Sequence, residues 1–187
     1  MIQNIRIMNL QSERLTLREI NNEDIEILYK LNSIPEIDEF NTLGIPKDIE
    51  TTRKVYQPVL DDQKSETRKL FCWLILKKTG KDVIGVAGLK SSNDRFKMGE
   101  IYYNLSPDFW GWGFATEVAQ RLIEFGFEKL KLHRIEAGVA TENKRSIRVL
   151  EKVGMTNEGI RRKILPIRGI WKDNYHYAIL EDDERGY

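Results

Sequence analysis

The sequence predicts a mixed α/β domain on a largely antiparallel sheet, with about seven strands and about four helices. Three observations predict it. The segments run strand, two helices, three strands, helix, strand, helix, two strands. Short turns rich in Gly, Asn and Asp join consecutive strands, which is how antiparallel neighbours connect. One long amphipathic helix lies between two strands, and a strand pair joined by such a crossover is parallel and right-handed.

Each element has its own local cause. Arg14–Ile20 alternates apolar and polar residues, the period of a half-buried strand. Asn21-Asn22-Glu23-Asp24 supplies capping oxygens, and Ile25, Leu28 and Leu31 continue as a helix to about Asn32. Residues 35–46, bounded by prolines, read as irregular, and Asp48 opens a second helix through Val55 and Leu60 despite Pro58. Phe71–Leu76 and Val83–Leu89 are apolar strands around a hairpin turn at Thr79-Gly80-Lys81-Asp82. After Ser91-Ser92-Asn93-Asp94 comes a strand from about Met98 to Leu105, rich in aromatic and branched residues. Ala115, Val118, Ala119, Leu122, Ile123, Gly126, Phe127 and Leu130 then recur at helical spacing. His133–Ala140 is a strand, and Asn143–Val153 a short helix stopped by Gly154. Strands over about 157–165 and 171–180 flank a turn at Arg168-Gly169.

Composition bounds the function. At 187 residues the chain fits one domain, residues 1–187, large enough to bury a core without staples. A net charge of +1 provides no field for nucleic acid or an anionic membrane. The single cysteine, Cys72, sits in the apolar run Leu70–Leu76, so a disulfide framework is excluded and a buried structural thiol is expected. Met1–Arg6 lacks the apolar core of a signal peptide, and no segment is apolar enough to span a bilayer. The expectation is a cytoplasmic protein, with a homodimer left open.

The most informative stretch is Trp110-Gly111-Trp112-Gly113-Phe114-Ala115-Thr116, where a strand gives way to the long helix. Two glycines let backbone N–H groups turn toward a ligand, and the first helical turn leaves its N–H groups unspent at the positive end of the dipole. Residues 111–116 hold no carboxylate; Glu117 is the first. A phosphate is the natural guest, although Gly-x-Gly before a helix also serves as a plain tight turn.

Glu100–Glu117, taken with these glycines, resembles the acetyl-CoA signature of the GNAT superfamily of N-acetyltransferases. Leu132–Ala137, Glu142–Met155 and Gly169–Asp173 strengthen the likeness and point to the branch containing the ribosomal-protein N-terminal (alanine) acetyltransferases. The resemblance implies a GNAT-type fold, acetyl-CoA as donor and no metal. It implies that N–H groups at Trp112, Gly113, Phe114, Ala115 and Thr116 hold the CoA pyrophosphate. The family usually begins this loop with Gln or Arg where this chain has Trp110, which removes one side-chain contact. Tyr103, Asn104 and Leu105 would pair with the pantetheine arm, and a bulge there would aim an N–H at the thioester carbonyl. Asn143 becomes a pantetheine contact, and Ser146 a hydroxyl near the sulfur that protonates the departing thiolate. On local pattern alone, both are helix-cap residues.

Attack on a thioester needs a neutral amine, so a carboxylate, or water held by one, must take the ammonium proton. Glu100 is the first candidate, against a strand-end salt bridge. Tyr102 and Tyr103 read as strand packing, with Tyr103 also placed to line the acyl pocket. Trp171 and Asp173 match the terminal hairpin as structural or substrate-wall residues. Lys144, Arg145 and Arg148 read as a solvated basic face, one of which could meet the 3′-phosphate. Two histidines, His133 and His176, do not make a metal site or a triad. Glu36, Asp38 and Glu39 could attract an amine or simply face solvent. The acceptor is a protein N-terminus or a small amine such as a polyamine, antibiotic or amino acid; a non-catalytic acyl-CoA sensor is the reading from another class.

Overall fold

In the computed structural model, which describes residues 8–80, 82–92, 95–185 and 187, alternating burial along the strands builds two cores on opposite faces of one sheet. Strands β1 (Leu10–Gln11) and β2 (Leu15–Glu19) lead into α1 (Ile25–Asn32), α2 (Pro35–Asp38) and α3 (Ile49–Asp62). The meander β3 (Leu70–Lys77), β4 (Val83–Ser91) and β5 (Met98–Leu105) follows. Then come α4 (Phe114–Glu128), β6 (Arg134–Ala140), α5 (Lys144–Lys152) and the hairpin β7 (Thr156–Ile167) and β8 (Ile170–Leu180). The sheet order is β1-β2-β3-β4-β5-β6-β8-β7, and every neighbouring pair is antiparallel except β5 and β6.

The described residues form an eight-stranded sheet and five α-helices, one more of each than expected. The added strand, β1, is two residues long and the added helix, α2, four, too short for either period to register in sequence. Met1–Arg6, Lys81, Asn93 and Asp94, on which part of the sequence reading fell, lie outside the described residues.

β3 is buried on both faces, which explains its unbroken apolar run. Phe71, Trp73 and Ile75 face α4 and α5, meeting Val118, Leu122 and Ile123; Trp73 and Phe125 pack edge to face at 5.3 Å. Cys72 and Leu74 face the other way, toward Leu28, Leu31, Tyr56 and Leu60 of α1 and α3. Cys72 is fully buried, as its neighbours predicted, and burial pushes its thiol up to about 12.

The feature that positions a site is where β5 and β6 part. Their parallel ladder holds only Met98↔Arg134, Gly99↔Ile135 and Glu100↔Glu136. Beyond it β5 stays on β4 as far as Leu105↔Gly85, and β6 stays on β8 as far as Ala140↔Asn174. A gap therefore opens in the middle of the sheet, at the carboxyl ends of its two parallel strands.

Candidate active site

Strand alternation decides which backbone groups line this gap. Ser106 N–H bonds the Ile84 carbonyl and Ser92 N–H the Met98 carbonyl, so even-numbered residues of β5 face β4. Tyr103 and Leu105 consequently turn their N–H groups toward the gap. On β6, Thr141 N–H bonds Asp173 and Glu181 N–H bonds His133, which leaves Gly138 and Ala140 facing the gap from the other side. The β4–β5 register runs unbroken from Ser91↔Gly99 to Gly85↔Leu105. The bulge expected near Tyr103–Leu105 is absent, and ordinary pleating turns the N–H groups instead.

At the end of β5 the chain makes a single 3₁₀ turn, Pro107–Phe109, and enters the glycine loop. Gly111 and Gly113 both sit in the left-handed region, at φ 82° and 80°, a conformation that a side chain makes costly. Gly113 is the N-cap of α4 and makes no side-chain cap bond, so the first N–H groups of the helix remain available. Trp110, which stands where the family carries a polar side chain, gives its indole N–H to the Leu105 carbonyl at 2.8 Å. Arg145 stacks on the Trp110 ring at 4.0 Å. The ring thus ties the loop to the end of β5, while Trp112 projects into solvent.

α4 begins at Phe114, so Glu117 lies in its first turn rather than beyond it. Its charge is taken up: Ser12 Oγ and Arg14 N–H both donate to Oε1 at 2.7 Å, and Arg14 Nε donates to Oε2 at 2.7 Å. Burial works to raise the Glu117 pKa, but these bonds outweigh it and hold the carboxyl below its usual range. No local pattern in the sequence signals Arg14.

Asn143 caps α5, its Oδ1 accepting the Ser146 N–H at 3.1 Å, and its side-chain amide nitrogen has no partner among the described residues. Ser146 in turn meets Tyr103: the two hydroxyls are 2.9 Å apart, joining α5 to β5 across the gap. Burial raises the Tyr103 hydroxyl far above the neutral range, and the bond from Ser146 offsets only part of that. Tyr103 therefore stays protonated and able to donate.

Glu100 occupies the last rung of the β5–β6 ladder, where the gap begins. It is exposed, and its carboxylate makes no hydrogen bond or ion pair with the described residues. The strand-end salt bridge is therefore absent. By alternation Glu100 and Asn104 face the side of α1 and α3, with Tyr102, while Tyr103 faces α4 and α5. The two proposed catalytic groups, Glu100 and Ser146, thus flank the sheet on opposite faces of the opening. Glu136, paired with Glu100 in register, is occupied by Arg134 at 2.7 Å and by His176 at 3.3 Å.

The acidic segment is not a free amine trap. Asp38 is buried and binds Arg168 at 3.0 Å, while Glu39 lies 3.5 Å from Arg145. Arg168 sits at the tip of the β7–β8 hairpin, which closes over α2. Arg145 is exposed, as expected of a solvated basic face, and in addition stacks on Trp110 and faces Glu39. Among the described residues no group of three or more His, Cys, Asp or Glu could hold a metal, and no helix is long and apolar enough to cross a membrane.

A parted parallel pair ending in a glycine turn, with unspent N–H groups along one edge, makes a cleft suited to a ligand that carries an anionic group. Comparison with known proteins narrows this. The acetyltransferase (GNAT) domain model matches residues 14–156, and the chain belongs to the GNAT acetyltransferases. An uncharacterized N-acetyltransferase p20 from Bacillus licheniformis is 34% identical over 95% of this chain and 98% of its own. The spermidine N(1)-acetyltransferase of Vibrio cholerae is 25% identical, covering 91% of this chain and 95% of its own. A putative ribosomal N-acetyltransferase, YdaF of Bacillus subtilis, is 30% identical over 54% of this chain and 56% of its own. A GNAT-family acetyltransferase structure from Bacillus anthracis superposes with TM-score 0.79 at 30% identity, covering 94% of this chain and all of that one. A Vibrio cholerae spermidine N-acetyltransferase solved with CoA and spermine shares the fold, at TM-score 0.80, 24% identity and 91% and 97% coverage. The chain is an N-acetyltransferase, and enzymes of this family use acetyl-CoA.

Proposed function

We propose that this protein transfers an acetyl group from acetyl-CoA to the α-amine of a protein or peptide N-terminus, by direct attack in a ternary complex. The observation that carries the reading is the β5–β6 gap, which runs from the unpaired Glu100 to the glycine turn at Gly111–Gly113.

The residues fit the donor. N–H groups of Trp112, Gly113, Phe114, Ala115 and Thr116 hold the pyrophosphate, because both glycines adopt φ values that expose them and Arg14 occupies Glu117. Gap-facing N–H groups of Tyr103 and Leu105, with the spare amide of Asn143, hold the pantetheine arm, and Asn104 lines the opposite face. When bound, acetyl-CoA supplies an activated acyl group. Glu100 takes a proton from the acceptor ammonium. The amine nitrogen then bonds the acyl carbon, the carbon–sulfur bond breaks, and a gap-facing N–H steadies the charge on the carbonyl oxygen. Ser146, whose hydroxyl shares a hydrogen bond with that of Tyr103, gives its proton to the departing sulfur and is restored by the second proton lost from the amine nitrogen. The first amine proton, taken by Glu100, leaves to solvent, and the product is a neutral amide.

Asp38 binds Arg168 through Oδ2 and Glu39 lies 3.5 Å from Arg145, so two of the three acids at 36–39 already face a cation, which favours an acceptor with a single reacting amine over a polycation. The spermidine acetyltransferase among the relatives favours a second reading, a polyamine acceptor. The single buried thiol agrees with a reaction in the cytoplasm. Release of CoA thiol, measured with short peptides, amino acids and spermidine, decides between them. Peptides with a free α-amine are expected to give the highest kcat/KM. Spermidine exceeding every peptide would overturn the acceptor assignment, and tight CoA binding with no turnover on any amine would make the protein a sensor.

Ser146→Ala and Tyr103→Phe are each expected to lower kcat by about ten- to a hundredfold while leaving KM for acetyl-CoA within about twofold. The double variant should be no slower than the worse single one, because the two hydroxyls act as one unit. Full activity in Ser146→Ala would reduce Ser146 to a helix residue.

A further inference from the structure

Arg14 stands 98 positions from Trp112 in sequence yet binds both the glycine loop and the first turn of α4. Its Nε and backbone N–H bind the two oxygens of Glu117, its Nη1 donates to the Trp112 carbonyl at 3.0 Å, and its guanidinium lies 4.5 Å from the centre of the Phe114 ring. The remaining nitrogen, Nη2, lies 3.5 Å from where a side chain on Gly113 would begin.

This arrangement resolves an electrostatic conflict. Glu117 sits in the first turn of α4, where the positive end of the dipole and the free N–H groups draw negative charge. An unneutralised carboxylate there competes with any anion for the same field. Arg14 cancels that charge with its guanidinium. Through the Trp112 carbonyl it also holds the loop between two glycines whose backbones are otherwise free to turn.

We propose that Arg14 is a positioning residue for the donor: it withdraws Glu117 from the start of α4 and so keeps the glycine cradle electrically open to a pyrophosphate. The inference rests on the reading of that cradle as the CoA site. Arg14 itself has 44% of its side chain exposed, whereas Glu117 has 13%, so the carboxylate, once abandoned, cannot escape into solvent. Ser12 Oγ and the backbone N–H of residue 14 would remain as its partners, neutral donors that leave the charge in place.

The test is calorimetric binding of CoA and of pantetheine, which lacks the pyrophosphate, to the purified protein and its variants. Arg14→Ala should weaken CoA about tenfold and leave pantetheine unchanged. Arg14→Ala/Glu117→Gln should recover CoA affinity to within about threefold of wild type, because the charge that Arg14 opposed is gone. Glu117→Gln alone should bind CoA at least as tightly as wild type. Should Arg14→Ala not fold, as judged by its circular dichroism, Arg14→Gln takes its place in both comparisons. Wild-type affinity in the Arg14 variant overturns the proposal, and so does a double variant as weak as the single one. Failure of the cradle reading looks different: wild-type protein would then bind CoA no tighter than pantetheine.

Discussion

Replacing Gly113 with glutamate is expected to weaken CoA binding by at least about a hundredfold, measured by calorimetry on folded protein. Two effects combine. Gly113 sits at φ 80°, so any side chain strains the N-cap of α4 by about 1 kcal/mol. The larger effect is a carboxylate held at the start of the helix, where the donor phosphates would lie. Gly113→Ala separates the two, because it carries the strain without the charge. The alanine variant should lose about tenfold or less, in keeping with about 1 kcal/mol of strain. Equal losses in the two variants would assign the effect to backbone geometry, and unchanged affinity in Gly113→Glu would remove the pyrophosphate from this turn.

Glu100→Gln is expected to lower kcat by roughly a hundredfold to ten-thousandfold at neutral pH, with CoA affinity unchanged. The amide keeps the size and exposure of the side chain but accepts no proton. Glu100 has no partner to lose, so the stability of the fold should stay within about 0.5 kcal/mol of wild type. That separation matters, because Glu136 on the adjacent strand is bound by Arg134 and His176, and its removal would disturb packing as well as charge. The lost rate should return as the pH is raised, since hydroxide then deprotonates the ammonium without a base. Wild-type turnover in Glu100→Gln would move the base elsewhere on the rim of the gap.

What the sequence reveals is what is written in local period and local chemistry. Met98–Leu105 and the helix after it were legible because aromatic and branched residues give way, through two glycines, to a clean helical repeat. Cys72 was legible as buried because every neighbour is apolar. The hydroxyl pair was half legible: Ser146 came from the family resemblance, but its contact with Tyr103 joins β5 to a helix 43 residues away. The ion pairs that shape the site were not legible at all. Arg14–Glu117, Arg145–Glu39 and Arg168–Asp38 span 103, 106 and 130 positions, and no spacing rule links their members. For that reason the acids of 36–39 read as free when two of them are spent. The expected bulge failed for a different reason. Pleating already turns alternate N–H groups toward the gap, so no extra residue is needed.

Trp110 shows how a departure from the family pattern is absorbed. The loop lacks the polar side chain that usually begins it, and the indole instead fastens the loop to Leu105 while Arg145 covers its face. On the proposed reading the cradle is then built from backbone alone, with Arg14 neutralising the carboxylate of Glu117 beside it.

The central claim is direct transfer of acetyl from a donor in the β5–β6 gap to an amine approaching from the face of Glu100. Initial rates measured with acetyl-CoA varied at several fixed concentrations of the best amine test it most directly. Transfer within a ternary complex predicts reciprocal plots that intersect, together with no acetylated protein when acetyl-CoA is supplied alone. Parallel lines, or an acetyl group found on the protein by mass spectrometry, would contradict direct transfer, because they require an acetylated side chain as an intermediate.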